Sequence, residues 1–280
     1  MADKHLAVVG SPIAPSKSPA IHSAAYRVLK NDWDYSAIEV GKGSLVHWLS
    51  SLDSSWIGVS VTAPLKEEAT TFAATDLEKT LGSANTLVRS GHEWLAYNTD
   101  VFGIVQALRN AELGDVKSVA IIGSGATAKS ALAAVAAEYP NAKLTFAARR
   151  EDVLTKLANF ALHAFKFEAK TTTNIAGALC GSDLVISTLP AGALDEYAVK
   201  ARKSLLRKPR GALFDVAYNP WPSLAAKIWA ERKLPVVSGL EMLLWQAVAQ
   251  IRLFSGGSVD HELFNELAVI HAMRDSVGLL

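Results

Sequence analysis

Ser118-Val-Ala-Ile-Ile-Gly-Ser-Gly-Ala-Thr-Ala128 decides the fold. Ser118 to Ile122 is a continuous apolar run, the signature of a strand buried on both faces of a parallel sheet. Gly123-x-Gly125-x-x-Ala128 follows at once, and an Ala-rich helical stretch runs on to about Glu138. In that order the first glycine permits a tight turn and the second allows close approach of a pyrophosphate. The small third residue lets helix and strand pack closely. The free N–H groups and positive dipole end of the helix then face the phosphates. The alternative is an ordinary tight turn, but the flanking strand and helix favour a dinucleotide loop.

Outward from this loop the chain alternates strands and helices. Leu144 to Ala148, Asp183 to Thr188, Gly211 to Val216 and Pro235 to Val237 read as further strands downstream. Upstream, Leu6 to Val9, Tyr35 to Val40 and Ile57 to Val61 read as strands, and Asn85 to Arg89 with Glu93 to Tyr97 as an adjacent pair. Helices are predicted from Ser18-Pro19, with Ser18 as N-cap, over Leu45 to Leu52, from about Leu65, and over Val101 to Glu112 with Asp100 as N-cap. Two more, roughly Leu240 to Phe254 and His261 to Val277, close the chain. The fold class is α/β, with two domains, one a doubly wound parallel sheet.

At the end of the strand after the loop, an NAD site usually carries an acid for the ribose hydroxyl. This chain reads Ala147-Ala148-Arg149-Arg150 instead. Two guanidinium groups suit a 2′-phosphate by charge and forked hydrogen bonds, so NADP(H) is the expected cofactor. Glu151 and Asp152 read as first-turn residues of the next helix. The alternative is that both arginines are solvated surface charges.

Composition narrows the function classes. Half of the 280 residues are hydrophobic and 20% are charged, which suits a packed core and not a disordered chain. A formal net charge of +1 gives no footprint for nucleic acid. Cys180 is the one cysteine, so no internal disulfide or cysteine-built metal site can form. The seven histidines have no ligand spacing, and no metal is expected. No targeting segment or membrane-length apolar run is visible, and a cytoplasmic location is expected. Cys180 and the dispersed tryptophans read as structural, and His22 as packed on its helix.

Several shorter motifs occur in a fixed order. They are Ser11-Pro-Ile-Ala-Pro-Ser-Lys-Ser-Pro19 with Ile21-His22, Gly58-Val-Ser-Val-Thr-Ala-Pro-Leu-Lys66, Ala84-Asn-Thr86, and Asn98-Thr-Asp100 with Gly103. Gly123-Ser-Gly125, Asp215-Val-Ala-Tyr218-Asn-Pro220 and Gly239-Leu-Glu-Met242-Leu-Leu-Trp-Gln246 complete the series. Together, over nearly the whole chain, they resemble the shikimate dehydrogenase family.

That resemblance implies two α/β domains with the active site in the cleft between them. Residues 1–100 plus 240–280 would bind substrate and 101–239 would bind NADP. It implies reversible NADPH-dependent reduction of 3-dehydroshikimate to shikimate, a step toward the aromatic amino acids. Lys66 and Asp100 match the catalytic pair. Ser16 and Ser18 match the holders of the carboxylate, Thr62 a pocket wall, Asn85 and Gln246 the holders of ring hydroxyls, and Tyr218 a tyrosine near the carboxylate. The nucleotide set is Gly123, Ser124, Gly125, Ala126, Thr127, Ala128, Arg149, Arg150, Thr188, Gly239 and Met242, the last near the nicotinamide.

Taken alone, Lys66 reads as a solvated lysine at a helix start, and Ser16 and Ser18 as a turn serine and an N-cap. Some positions depart from the family pattern: Ser60 where Asn is common, Pro15 where His often stands, and Ile186 to Pro190 near the cofactor. Two rival readings are a quinate/shikimate dehydrogenase preferring NAD and a non-catalytic NADP-binding sensor of the same fold. The expected partner is a small-molecule substrate, with no nucleic acid or membrane, for a monomer or homodimer.

Overall fold

A computed structural model describes residues 4–14, 16–204 and 208–279; Pro15 lies outside them. The chain divides into two compact units, Met1–Gly103 with Leu243–Leu280, and Ile104–Met242.

The first unit contains β1 (Lys4–Gly10), α1 (Ser18–Leu29), β2 (Trp33–Glu39), α2 (Leu45–Ser50) and β3 (Trp56–Val61). A 3-10 turn (Glu68–Phe72), α3 (Asp76–Leu81), β4 (Thr86–Ser90), β5 (Glu93–Tyr97) and the start of α4 (Asp100–Asn110) follow. Its five strands form one sheet in the order β2-β1-β3-β4-β5. The first three are mutually parallel, while β4 runs antiparallel to both β3 and β5. Alternation along β1 serves both faces, because successive side chains point to opposite sides of a strand. Leu6 and Val8 pack with Ile21 and Tyr26 of α1, whereas Ala7 and Val9 pack with Leu45, Leu49 and Leu65.

The second unit holds β6 (Ser118–Ile122), α5 (Ala126–Glu138), β7 (Lys143–Ala147), α6 (Glu151–Phe165), β8 (Ala169–Thr172) and α7 (Ile175–Gly181). It continues through β9 (Leu184–Ser187), α8 (Asp195–Lys203), β10 (Ala212–Asp215), α9 (Leu224–Glu231) and β11 (Val236–Ser238). All six strands are parallel, in the order β8-β7-β6-β9-β10-β11. This is the doubly wound order that reverses direction beside its first strand, here β6. The central strands are buried along nearly all their length, so they read as mostly apolar runs, with polar residues only at their ends (Ser118, Ser187 and Asp215).

α10 (Gly239–Phe254) and α11 (Glu266–Val277) end the chain. Leu244, Val248 and Ile251 of α10 and Val269 and Met273 of α11 pack into the same core as β1 and α1.

Four local expectations are corrected. No α-helix starts at Leu65; residues 63–67 are a turn leading to the 3-10 stretch. Lys17, not Ser18, is the N-cap of α1, and Ser18 is its first residue. Asp100 is likewise inside α4, whose Val101 N–H donates to Asn98 Oδ1 at 3.3 Å. α11 begins at Glu266, five residues beyond His261. Helices α3 and α8 were not anticipated, whereas α7 ends at Gly181, as expected from Cys180-Gly181-Ser182.

Candidate active site and nucleotide loop

In the first unit, Lys66 stands on the turn after β3 and Asp100 at the first position of α4. Lys66 Nζ donates to Asp100 Oδ2 at 2.6 Å, with the lysine side chain 16% and the carboxylate 4% exposed. A lysine on a surface turn would be solvated; this one points inward, because a buried carboxylate faces it. The acid also lies at a helix N-terminus, where negative charge is favoured.

The other oxygen of that carboxylate is fixed too. Asn85, beside β4, donates from Nδ2 to Asp100 Oδ1 at 2.9 Å and to Thr99 Oγ1 at 2.9 Å, and stands 3.2 Å from Gln246 Oε1. Asn85 Oδ1 accepts from the Thr99 N–H at 2.7 Å. Gln246 Nε2 donates to the Leu243 carbonyl at 2.9 Å. The structure therefore brings Lys66, Asp100, Asn85 and Gln246 into one connected group.

Ser18 is buried at the start of α1, and its N–H donates to Ser16 Oγ at 3.3 Å. Thr62 follows β3 and its N–H donates to the Val9 carbonyl at 2.9 Å. A Cβ on Gly10 would lie 2.4 Å from Thr62 Cγ2, so glycine there lets the two loops after β1 and β3 meet.

Sequence reasoning missed the polar residues behind this group. Tyr35 donates to Ser60 Oγ at 2.7 Å and lies within hydrogen-bonding reach of Ser18. Ser60 donates to Gln250 Oε1 at 2.8 Å. His22 does pack within its unit, but as a hydrogen-bonding group: Nε2 is 3.2 Å from Gln250 Oε1 and Nδ1 is 3.0 Å from the Tyr26 hydroxyl. Its ring stacks on Tyr35, centroids 3.9 Å apart. Burial holds the His22 pKa down at about 3, against the opposing bond to Gln250. Burial also raises the Tyr26 and Tyr35 hydroxyls. Gln246 and Gln250, one helical turn apart within the apolar middle of α10, were the available signal.

In the second unit, β6 runs into the glycine loop and α5. Gly123 adopts φ +119°, and a Cβ there would lie 2.4 Å from Thr188 Oγ1, so only glycine fits this turn. Thr188 donates to the Ile122 carbonyl at 3.0 Å, closing the loop from behind. A Cβ on Gly125 would meet no protein atom, and Gly125 caps α5 in extended conformation. Ala128 is fully buried. A cavity of about 720 Å³ lies over this loop, lined by Gly123, Ser124, Arg149, Arg150, Leu189 and Tyr197 among others. Turn, helix end, arginines and cavity fit a phosphorylated dinucleotide.

The two arginines differ. Arg150 is the N-cap of α6, and its guanidinium pairs in a fork with Asp152, Nε to Oδ1 at 3.0 Å. Arg149 makes no ion pair among the described residues and remains available on the cavity wall. Tyr218, after β10, is half-buried, and burial raises its hydroxyl pKa. Gly239 opens α10 where a Cβ would lie 2.0 Å from the Val216 carbonyl, a packing reason for glycine. Met242 is buried on α10. Asp215 is buried, accepts from Ser223 Oγ at 2.8 Å, and its pKa is raised by burial.

Cys180 is buried on α7. Among the described residues no group of three His, Cys, Asp or Glu side chains could hold a metal, and no helix is long and apolar enough to cross a membrane.

Comparison with known proteins bears on both units. Residues 8–87 match the family model described as the shikimate dehydrogenase substrate binding domain. A shikimate dehydrogenase (NADP(+)) of Hyphomonas neptunium is 34% identical over 263 residues, covering 90% of this chain and 91% of that protein. The crystal structure of Mycobacterium tuberculosis shikimate dehydrogenase superposes with a TM-score of 0.81 at 33% identity, covering 99% of this chain and all of the other. That of a shikimate 5-dehydrogenase from Mycobacterium fortuitum gives a TM-score of 0.77 at 35% identity, covering 96% and 97%.

Proposed function

The chain belongs to the shikimate dehydrogenase family, and from that premise we propose that it catalyses the reversible NADPH-dependent reduction of 3-dehydroshikimate to shikimate. In this reading it is a cytoplasmic enzyme, monomeric or homodimeric, serving aromatic amino-acid synthesis. Residues 1–100 with 240–280 hold the substrate and 101–239 hold the nucleotide. The observation that carries the reading is the 2.6 Å contact between the mostly buried Lys66 ammonium and the Asp100 carboxylate.

Reducing a ketone places negative charge on its oxygen. An oriented ammonium stabilises that charge and supplies the proton that completes the hydroxyl. Lys66 performs both tasks: its Nζ faces the developing alkoxide, and one N–H proton passes to that oxygen. The amine left behind regains a proton from solvent. Asp100 keeps the lysine aimed and accepts from a neighbouring substrate hydroxyl. In the reverse direction neutral Lys66 takes the hydroxyl proton.

Asn85 and Gln246 hold the ring hydroxyls. Their mutual contact at 3.2 Å is the longest made by the Asn85 amide, and a substrate hydroxyl can take its place. Ser16 and Ser18 hold the carboxylate, with Thr62 and Tyr218 as further contacts. When bound, NADPH supplies the hydride. Gly123 to Ala128 with Thr188 would hold its pyrophosphate, Arg149 and Arg150 its 2′-phosphate, and Gly239 and Met242 would lie near its nicotinamide.

The test is Lys66→Ala, assayed by nicotinamide absorbance with shikimate and NADP, with ligand binding followed by calorimetry. Turnover is expected to fall by about 100- to 10,000-fold while shikimate and NADP still bind. Near-normal turnover refutes the assignment. Parallel assays with quinate and with NAD separate the rival specificities, and nucleotide binding without any turnover by the wild type would favour the sensor.

A further inference from the structure

Gln250 sits on α10, 1% exposed, four residues after Gln246. Its carbonyl oxygen accepts from Ser60 Oγ at 2.8 Å and lies 3.2 Å from His22 Nε2. Its amide nitrogen donates to the Asn85 carbonyl at 3.3 Å and to Thr86 Oγ1 at 3.2 Å. One side chain thus joins α1, β3 and β4 to α10. A buried primary amide offers two donors and one oxygen with two lone pairs, and here each finds a partner.

The contacts form a continuous path. At one end Ser18 and Ser60 share the Tyr35 hydroxyl. At the other end Asn85, whose backbone carbonyl Gln250 holds, fixes Asp100 Oδ1, and Asp100 Oδ2 fixes Lys66. Gln250 is where the two arms meet, with Ser60 on its oxygen and the Asn85 carbonyl on its nitrogen. Because its carbonyl accepts from His22 Nε2–H, the neutral ring leaves Nδ1 to accept from Tyr26, so one tautomer satisfies every partner.

We infer that Gln250 is a positioning residue: acting through Asn85, it sets the alignment of the Lys66–Asp100 pair relative to the Ser16–Ser18 end of the same site. Networks that fix a reacting group matter because a displacement of about 1 Å can cost roughly 100-fold in rate. The inference rests on the dehydrogenase reading above.

The experiment compares wild type, Gln250→Met, Asn85→Ala and the double variant in steady-state kinetics with shikimate and NADP. Methionine keeps the length and removes every hydrogen bond. Gln250→Met should lower kcat by about 10- to 100-fold, with the NADP dissociation constant unchanged. Added to Asn85→Ala, it should lower kcat no further, since both act through one group. A role in stability alone predicts a lower melting temperature, near-normal kcat in the folded protein, and independent losses that multiply.

Wild-type kcat in Gln250→Met, or multiplicative losses in the double variant, overturns the inference. If Gln250→Met does not fold, Ser60→Ala removes one of the four contacts and should lower kcat several-fold; wild-type kcat there overturns it equally. A wild-type chain unable to reduce NADP with shikimate would instead sink the dehydrogenase reading itself.

Discussion

His22 should make the protein acid-labile well above the carboxylate range. Its imidazole is fully buried between Tyr35, Tyr26, Phe254 and Gln250, and burial lowers its pKa from 6.5 to about 3. The unfolded chain takes up this proton as pH falls through 6.5, while the native protein does not until about 3. Stability is therefore complete above that upper value and lost progressively below it. At about 1.4 kcal/mol per pH unit, the loss is about 2 kcal/mol near about pH 5 and about 3 kcal/mol near about pH 4. Tyr26 and Tyr35 stay neutral throughout, since burial raises both.

His22→Gln cannot titrate yet can still donate to Gln250. Urea unfolding of both proteins from about pH 7 to about pH 5 isolates the effect, because other groups contribute equally to each. The stability gap between wild type and variant should shift by about 2 kcal/mol against the wild type across that range. A gap independent of pH, or a His22 ring signal that titrates at its ordinary value in the folded protein by NMR, refutes the reasoning.

Arg149→Ala should raise the KM for NADP by about 10- to 100-fold, the loss of a charged hydrogen bond, and leave that for NAD unchanged in initial-rate assays. Arg150→Ala should do less, because Asp152 already engages its guanidinium; the reverse order would show that the wrong arginine has been singled out. Arg252 and Glu266 form a fork, Nε to Oε2 at 2.8 Å, with side chains 7% and 12% exposed. Arg252→Met should therefore cost about 3–5 kcal/mol in urea unfolding. Arg109→Met, which breaks a comparable fork to Glu138 with the arginine 57% exposed, should cost less than about 1 kcal/mol. Equal costs would show that burial is not what separates them.

What the sequence revealed followed burial. Val119 to Ile122 could be recognised because a stretch covered on both faces is apolar at successive positions. Gly123 could be recognised because its tight turn tolerates few other residues, and Ala128 because helix and strand pack closely there. Where order comes from local polar bonds, apolar periodicity is silent. α3 is set by a capping box, with Thr75 Oγ1 accepting from Leu77 N–H and Glu78 returning to the Thr75 backbone. The Thr-x-x-Glu spacing was its signal. After Pro64 the apolar residues Leu65 and Ala69 have helical spacing, yet that stretch closes as a turn and a single 3-10 segment. It is this turn that allows Lys66 to point at Asp100 and not at solvent.

The site divides along the same line. Lys66 and Asp100 stand in motifs of their own, but nothing in 34 positions of intervening chain states that they touch. Gln250 carries no motif at all. It meets His22 across 228 positions and Ser60 across 190, and its chemistry exists only once α1, β3, β4 and α10 have packed. A glutamine on an apolar helix face is costly to bury unless each polar atom finds a partner. Gln246 and Gln250 on one turn of α10 therefore constitute a demand that the surrounding elements have to meet. They meet it with Asn85, Thr86, Ser60 and His22, and in doing so fix the helix against β4 in the register that the Lys66–Asp100 pair requires.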